Sequence, residues 1–382
     1  MCFKGFVEVI MGEKKVGILT FHRARNIGTC LQAYALQKYL EDQKKTVEFI
    51  DYRPQYIEDS FGIFIKELYR QAKGNAKKIV LFWIKTVLRL PFSSIRELKF
   101  GAFRKEHLKI SQKTFYKREE MKNIDEEYSH IFFGSDQVWN PQLTEGIDTV
   151  FFGDFGADKV IKASYAASLG ANVLTVVEQE KLRRSVEYLD YVGVREESAK
   201  AVLEELNVKN VIVNIDPTLL VDKSVWDSIS KPSTQKEKYI LVYTLEINEE
   251  LIKIVREISE KKNMKVVCLD MKNRYGKHGS SKYTTDPTEF IGLVEEAEYV
   301  ITNSFHGTVF SIIYEKKFLS IPHMTRSTRV KDLLSKLGIE ERMVFTKKEC
   351  IDIDADIDYI SVKKKLELVK KESQEYIKMV LN

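Results

Sequence analysis

His306 lies in a turn that reads Asn303-Ser304-Phe305-His306-Gly307. Histidine titrates near neutral pH and can give or take a proton there. Residues 299–302 are apolar and largely β-branched, which predicts a buried parallel strand. Residues 308–314 predict a buried helix and 318–321 the next strand. Asn303 and Ser304 suit turn and N-cap positions. Free N–H groups at a helix start attract an anion, and Gly307 would let a ligand approach the backbone closely. His306 is thus placed to touch an anionic substrate. The competing reading is a helix-capping turn with the histidine packed against the sheet.

Other polar residues sit at similar turns. Asn26 and Gly28 follow a strand over 16–21, where they could cradle ligand oxygens or simply give the turn its geometry. Asp136 follows a strand over 131–133. It could accept a hydrogen bond from a hydroxyl or act as its base, or cap the turn with Trp139 in the core. Arg195 follows a strand over 191–194 and opens a helix through 206. Asp216, after a strand over 211–213 and before Pro217, reads as a turn residue rather than a base. The chain has neither GxGxxG nor GxxxxGK[ST], so neither a dinucleotide nor a phosphate-loop fingerprint is supported.

The elements that must hold these turns form two α/β wound units. Strands over 16–21 and 47–50 flank a helix over 30–40, and further strands follow to residue 213, among them 160–167. A polar stretch over 224–238 interrupts the pattern. It then restarts with a strand over 239–243, a helix over 249–262, a strand over 265–269 and a helix over 287–297. The expected fold is α/β, with two Rossmann-like domains facing a cleft. The first spans 1–222, the second, carrying the His306 turn, spans 223–345, and the tail 346–382 supplies a helix over 362–381 that packs across both. Residues 59–122 read as a basic helical insertion. There Lys77, Lys78, Lys85 and Arg89 interleave with Phe82, Trp83 and Ile84. Such a segment would bring the chain to an anionic membrane surface, or it is an insertion whose charges are merely solvated.

A length of 382 residues suits two domains, and a net charge of +5 is too small for a dedicated nucleic-acid binder. Cys2, Cys30, Cys268 and Cys350 are scattered, which argues against a zinc site or disulfide framework and fits a reducing cytoplasm. Met11 is an alternative start to Met1. The longest apolar run, 79–84, falls far short of the ~20 residues a spanning helix needs.

Several of these turns together resemble the polysaccharide pyruvyl transferases. The matching pieces are VGILTFHRARNIGTCLQAYAL (16–36), FFGSDQVWNP (132–141), SYAASLG (164–170), VREES (194–198), DPTLL (216–220) and the long stretch 286–318 around NSFHG. They run in family order to about residue 342, and the basic segment is the part covered poorly. The resemblance implies a fold similar to GT-B glycosyltransferases and a cytoplasmic enzyme. It implies phosphoenolpyruvate as donor substrate, no cofactor and no metal. The pyruvyl group becomes a ketal on two hydroxyls of a surface-polysaccharide sugar, carried on a lipid diphosphate or a nucleotide, and phosphate leaves. His306 would be the catalytic acid and Arg195 a catalytic anchor, with Asp136 beside them. Ser304, Gly307 and Asn303 would meet the donor and Asn26 and Gly28 the acceptor; Arg326 and Arg329, which follow the strand over 318–321, are further donor-binding candidates or else ordinary surface arginines. The alternative keeps the fold but uses a nucleotide-sugar donor. Against it, TVFSIIYEKKF after Gly307 lacks the pattern expected around a nucleotide-sugar ribose. These motifs name neither the acceptor sugar nor the oligomeric state.

Overall fold

The computed structural model describes residues 14–57, 76–156, 159–170, 174–246, 248–321, 327–345 and 352–382. Two fully parallel sheets organise them. The first holds β1 (Lys15–Leu19), β2 (Val47–Tyr52), β3 (Ile110–Phe115), β4 (Tyr128–Asp136), β5 (Ile161–Ala167), β6 (Val192–Val194) and β7 (Val211–Val213), in the order β3-β2-β1-β4-β5-β6-β7. The second holds β8 (Tyr239–Tyr243), β9 (Lys265–Cys268), β10 (Gly279–Ser281), β11 (Tyr299–Thr302) and β12 (Lys317–Ser320), in the order β10-β9-β8-β11-β12. The helices are α1 (Ile27–Asp42), α2 (Ala76–His107), α3 (Val176–Val186), α4 (Glu197–Glu205), α5 (Lys223–Asp227), α6 (Glu249–Lys262), α7 (Pro287–Glu296), α8 (Phe305–Ile313), α9 (Thr328–Leu337) and α10 (Tyr359–Leu381).

Both sheets reverse their winding once, between β1 and β4 in the first and between β8 and β11 in the second. Such switch points open a crevice at the carboxyl ends of the strands, where ligands of α/β sheets bind. The fold is thus two Rossmann-like units of the GT-B-like kind expected. The central strands are buried on both faces, in keeping with their continuous apolar runs: Ile131, Phe132 and Phe133 in β4, Val300 and Ile301 in β11.

The two units share a core. Trp226 of α5 lies 5.9 Å from Tyr34 of α1 and 4.9 Å from Phe310 of α8, ring centroid to centroid, and is fully buried. The tail helix α10 starts against the second unit, where the Tyr359 hydroxyl donates to the Lys316 carbonyl at 2.6 Å. It ends against the first, where the Tyr376 hydroxyl donates to the Ser164 carbonyl at 2.7 Å.

Residues 59–75 of the expected helical insertion lie outside the described residues, and the remainder, 76–122, is only partly helical. Its residues 110–115 form β3, the edge strand beside β2. Ser111, Gln112 and Lys113 give β3 a polar middle, as befits a half-exposed edge, and so hid its strand character. Within α2, Arg96, Lys99 and Arg104 are not simply solvated. The Arg96 guanidinium donates to the Tyr283 carbonyl at 2.9 Å and to the Arg25 carbonyl at 3.1 Å, stacked over the Phe100 and Tyr283 rings. Lys99 pairs with Glu289 of α7 at 2.6 Å, and Arg104 with Glu97 at 2.8 Å. The carboxyl half of α2 therefore braces the first turn of one unit against the second. No described helix is long and apolar enough to cross a membrane.

Candidate active site

The first switch point is built by α1 and the end of β4. Asn26 caps α1 by accepting from the Thr29 N–H at 3.3 Å, so its side-chain oxygen serves the helix start. The Thr29 hydroxyl donates to Asp136 Oδ2 at 2.6 Å, tying the turn after β1 to the last residue of β4. The second Asp136 oxygen accepts from the Gln137 N–H at 2.8 Å.

The second switch point is built by β11 and α8. Ser304 caps α8, accepting from the Gly307 N–H at 3.4 Å. Asn303 accepts from the Leu245 N–H at 2.8 Å and donates to the Glu246 carbonyl at 2.9 Å, lacing β11 to the loop after β8. Gly307 is spoken for by the fold. A Cβ there would stand 2.2 Å from Thr302 Oγ1, so the space expected to admit a ligand is filled by the Thr302 side chain.

His306 lies in the first turn of α8 and is buried. Across the junction, its ring packs on Gly28 of α1. A Cβ at position 28 would fall 2.1 Å from His306 Nδ1. Gly28 is therefore required by close approach between the two units, where sequence alone allowed only a turn or a cradle. On its other edge, His306 Nε2 stands 3.5 Å from Asp216 Oδ2, within ion-pair range but longer than a normal hydrogen bond.

Asp216 is the site residue that sequence reasoning assigned to a turn. It does hold that turn: Oδ1 accepts from the Thr218 N–H at 3.0 Å and from the Thr218 hydroxyl at 2.6 Å. Its Oδ2 also accepts from Arg195 Nη1 at 2.9 Å. Arg195, just past β6, has a side chain only 2% exposed and lies 3.9 Å from Asp136 and 3.8 Å from Glu196. The signal that could have found Asp216 is its place at the end of a parallel strand, shared with Asp136 and Arg195.

The electrostatics follow from this packing. Burial works against the Asp216 charge, but His306 and Arg195 outweigh it and hold the carboxyl well below its ordinary range. Burial likewise opposes the Arg195 charge, yet Asp216, Glu196 and Asp136 together raise it. The Arg195 Nε and Nη2 atoms are buried without a hydrogen-bond partner, as is Glu196 Oε2. Arg195 lies over the Phe305 ring at 5.2 Å, and Arg329 of α9 over the same ring at 6.0 Å. Among the described residues Arg329 makes no ion pair; burial and the nearby Arg195 both push its pKa down. Tyr243, ending β8, is buried, which pushes its hydroxyl up to about 12.

The structure thus brings together His306, Arg195, Asp136, Arg329 and Gly28, and adds Asp216 and Glu196. Ser304, Asn303, Asn26 and Gly307 frame the two turns. Arg326 lies outside the described residues. A cavity of about 30 Å³ remains beside Arg195, Asn214, Asp216, Phe305 and Arg329, which is space on the scale of a water molecule. A larger cavity, about 890 Å³, lies at the opposite, amino-terminal edge of β6 and β7, away from these groups. No three His, Cys, Asp or Glu side chains among the described residues are grouped to hold a metal ion.

Comparison with known proteins gives one strong match. The family model described as polysaccharide pyruvyl transferase covers residues 26–323. No curated protein matches the sequence. Among solved structures, a UDP-GlcNAc 2-epimerase from Neisseria meningitidis bound to UDP-GlcNAc has a TM-score of 0.46 at 11% identity, covering 96% of this chain and 94% of that one. The heptosyltransferase WaaC from E. coli with ADP has a TM-score of 0.39 at 7% identity, covering 93% and 99%. The glycosyltransferase SnogD from Streptomyces nogalater has a TM-score of 0.41 at 11% identity, covering 95% and 96%. Likenesses this loose carry no argument about activity.

Proposed function

The chain belongs to the polysaccharide pyruvyl transferase family, and from that premise we propose that it moves a pyruvyl group from phosphoenolpyruvate onto two hydroxyls of a surface-polysaccharide sugar. The reaction asks for two things. The methylene carbon of the enol phosphate must receive a proton as a sugar hydroxyl attacks the carbon bearing the phosphate. The phosphate must then leave, and a second hydroxyl closes the ketal. One proton goes to carbon, and the two hydroxyl protons are lost to a base, the departing phosphate or solvent.

The observation that carries this reading is the meeting of His306, Arg195 and Arg329 around Asp216 at the carboxyl ends of both sheets. In it His306 is the general acid. Its Nε2 faces Asp216 and its ring rests on Gly28, contacts that fix the orientation of the imidazole. Arg195 and Arg329 meet the carboxylate and phosphate of the donor with their forked donors. Asp136, held by Thr29, is the group nearest the first switch point to orient or deprotonate a hydroxyl.

Phosphate release from phosphoenolpyruvate, tested with a panel of diol sugars in free, nucleotide-linked and lipid-diphosphate-linked form, decides the matter. Acceptor-dependent release of inorganic phosphate is expected. Release of a nucleotide from a nucleotide-sugar, with phosphoenolpyruvate left intact, would overturn it in favour of glycosyl transfer. The acceptor is a cytoplasmic precursor in this reading.

A further inference from the structure

The outward face of α2 has no role in the site. Val80, Ile84, Val87, Leu88, Ile95 and Leu98 are between 45% and 73% exposed. At 100° per residue these six fall in one arc about 100° wide, with the exposed Trp83, Leu90 and Phe92 on its two flanks. Phe100, on the opposite side of the same helix, is fully buried and anchors α2 to the core. Large apolar side chains set side by side toward water mark a contact surface rather than ordinary exposed residues.

Charge identifies what covers it. From 76 to 95 the helix contains Lys77, Lys78, Lys85 and Arg89 and no acidic residue. Glu97, the first carboxylate, is already paired with Arg104 and with Arg25 at 3.5 Å. A second copy of the chain would set this basic stretch against itself, since a two-fold interface repeats the same patch on both sides. An anionic lipid surface supplies both an apolar layer for the stripe and negative headgroups for the cations of this stretch. We propose that α2 lies in the plane of an anionic membrane surface, apolar arc inward, and holds the protein there without crossing. This inference stands apart from the catalytic reading, because no residue of the arc belongs to the site.

The full-length protein is mixed with vesicles of phosphatidylcholine and phosphatidylglycerol, and with vesicles of phosphatidylcholine alone. Co-sedimentation is expected with the first and is expected to fall steeply with salt, because the attraction is screened. Trp139 and Trp226 are fully buried while Trp83 of α2 is 48% exposed, so a blue shift of tryptophan emission on binding reports this helix. Replacing Ile84→Gln and Leu88→Gln together, or Lys77, Lys78, Lys85 and Arg89 all by Gln, should each weaken binding by about tenfold or more. Both sets touch exposed or charged positions, and an unchanged far-UV spectrum verifies folding. The proposal is overturned by no binding to the anionic vesicles at low salt, by equal binding to both vesicle types, or by full binding in both variants. It is also overturned if Ile84→Gln with Leu88→Gln converts a dimer to a monomer, which would make a second copy the occupant.

Discussion

Asp216 Oδ2 stands 3.5 Å from His306 Nε2 and joins the end of β7 in one sheet to the first turn of α8 beside the other. The same oxygen accepts from Arg195. A single buried carboxylate therefore positions both the acid and the anchor of the reaction proposed here, and breaking it should disturb stability and chemistry together.

Asp216→Asn is expected to lower stability at neutral pH by about 3–5 kcal/mol, the cost of leaving a buried charge without its partner. The sign with pH follows from the depressed carboxyl. Its stabilising contribution is complete above the ordinary value of 3.8 and is lost as pH falls toward the folded-state value. The gap in melting temperature between parent and Asp216→Asn should thus be widest above that value and close in strong acid. A gap independent of pH would mean that the variant acts through the Thr218 turn instead.

His306→Gln should reduce turnover by roughly 10²–10⁴-fold while leaving phosphoenolpyruvate binding, measured by calorimetry, nearly intact. Arg195→Ala should weaken that binding as well as turnover, because it removes a charge-assisted hydrogen-bond donor. Arg329→Ala should weaken binding with a smaller loss of structure, since Arg329 makes no ion pair among the described residues. Near-normal phosphate release by His306→Gln would require a different acid.

Gly28→Ala separates helix propensity from site geometry. Alanine in place of glycine favours a helix by up to about 1 kcal/mol. Here the added Cβ would collide with the His306 ring, and such overpacking costs about 1–3 kcal/mol. The variant should therefore lose up to about 2 kcal/mol of stability net and lose activity as well. Unimpaired turnover would show that His306 does not work against Gly28.

Arg96→Ala should loosen the contact between the two units, costing about 1.5–3 kcal/mol for each hydrogen bond from the charged group. Faster amide exchange around Tyr283 and the first turn is the expected readout. Arg96→Lys should rescue little, since lysine cannot fork between two carbonyls while stacking on Phe100 and Tyr283. Exchange unchanged in Arg96→Ala would leave the joint to the shared apolar core alone.

By itself, the sequence determined the local grammar of this protein. Apolar β-branched runs such as 299–302 could only be buried strands, and the polar turn after each had to lie at a carboxyl end, because winding in α/β units repeats. For that reason His306, Arg195 and Asp136 are legible as candidates in the sequence alone. Local pattern is weakest where burial is partial. The edge strand β3 hid behind its polar middle, and the charged surface helix α3 left no clear apolar period. What only the tertiary structure decided was everything across the junction between the two units. Asp216 is 90 residues from His306 in sequence, and no spacing rule relates them. Gly28 meets His306, and Arg96 bridges two units, because separate strand ends converge in space. These contacts depend on how two sheets pack, and packing is a property of surfaces that the order of residues along one strand does not record.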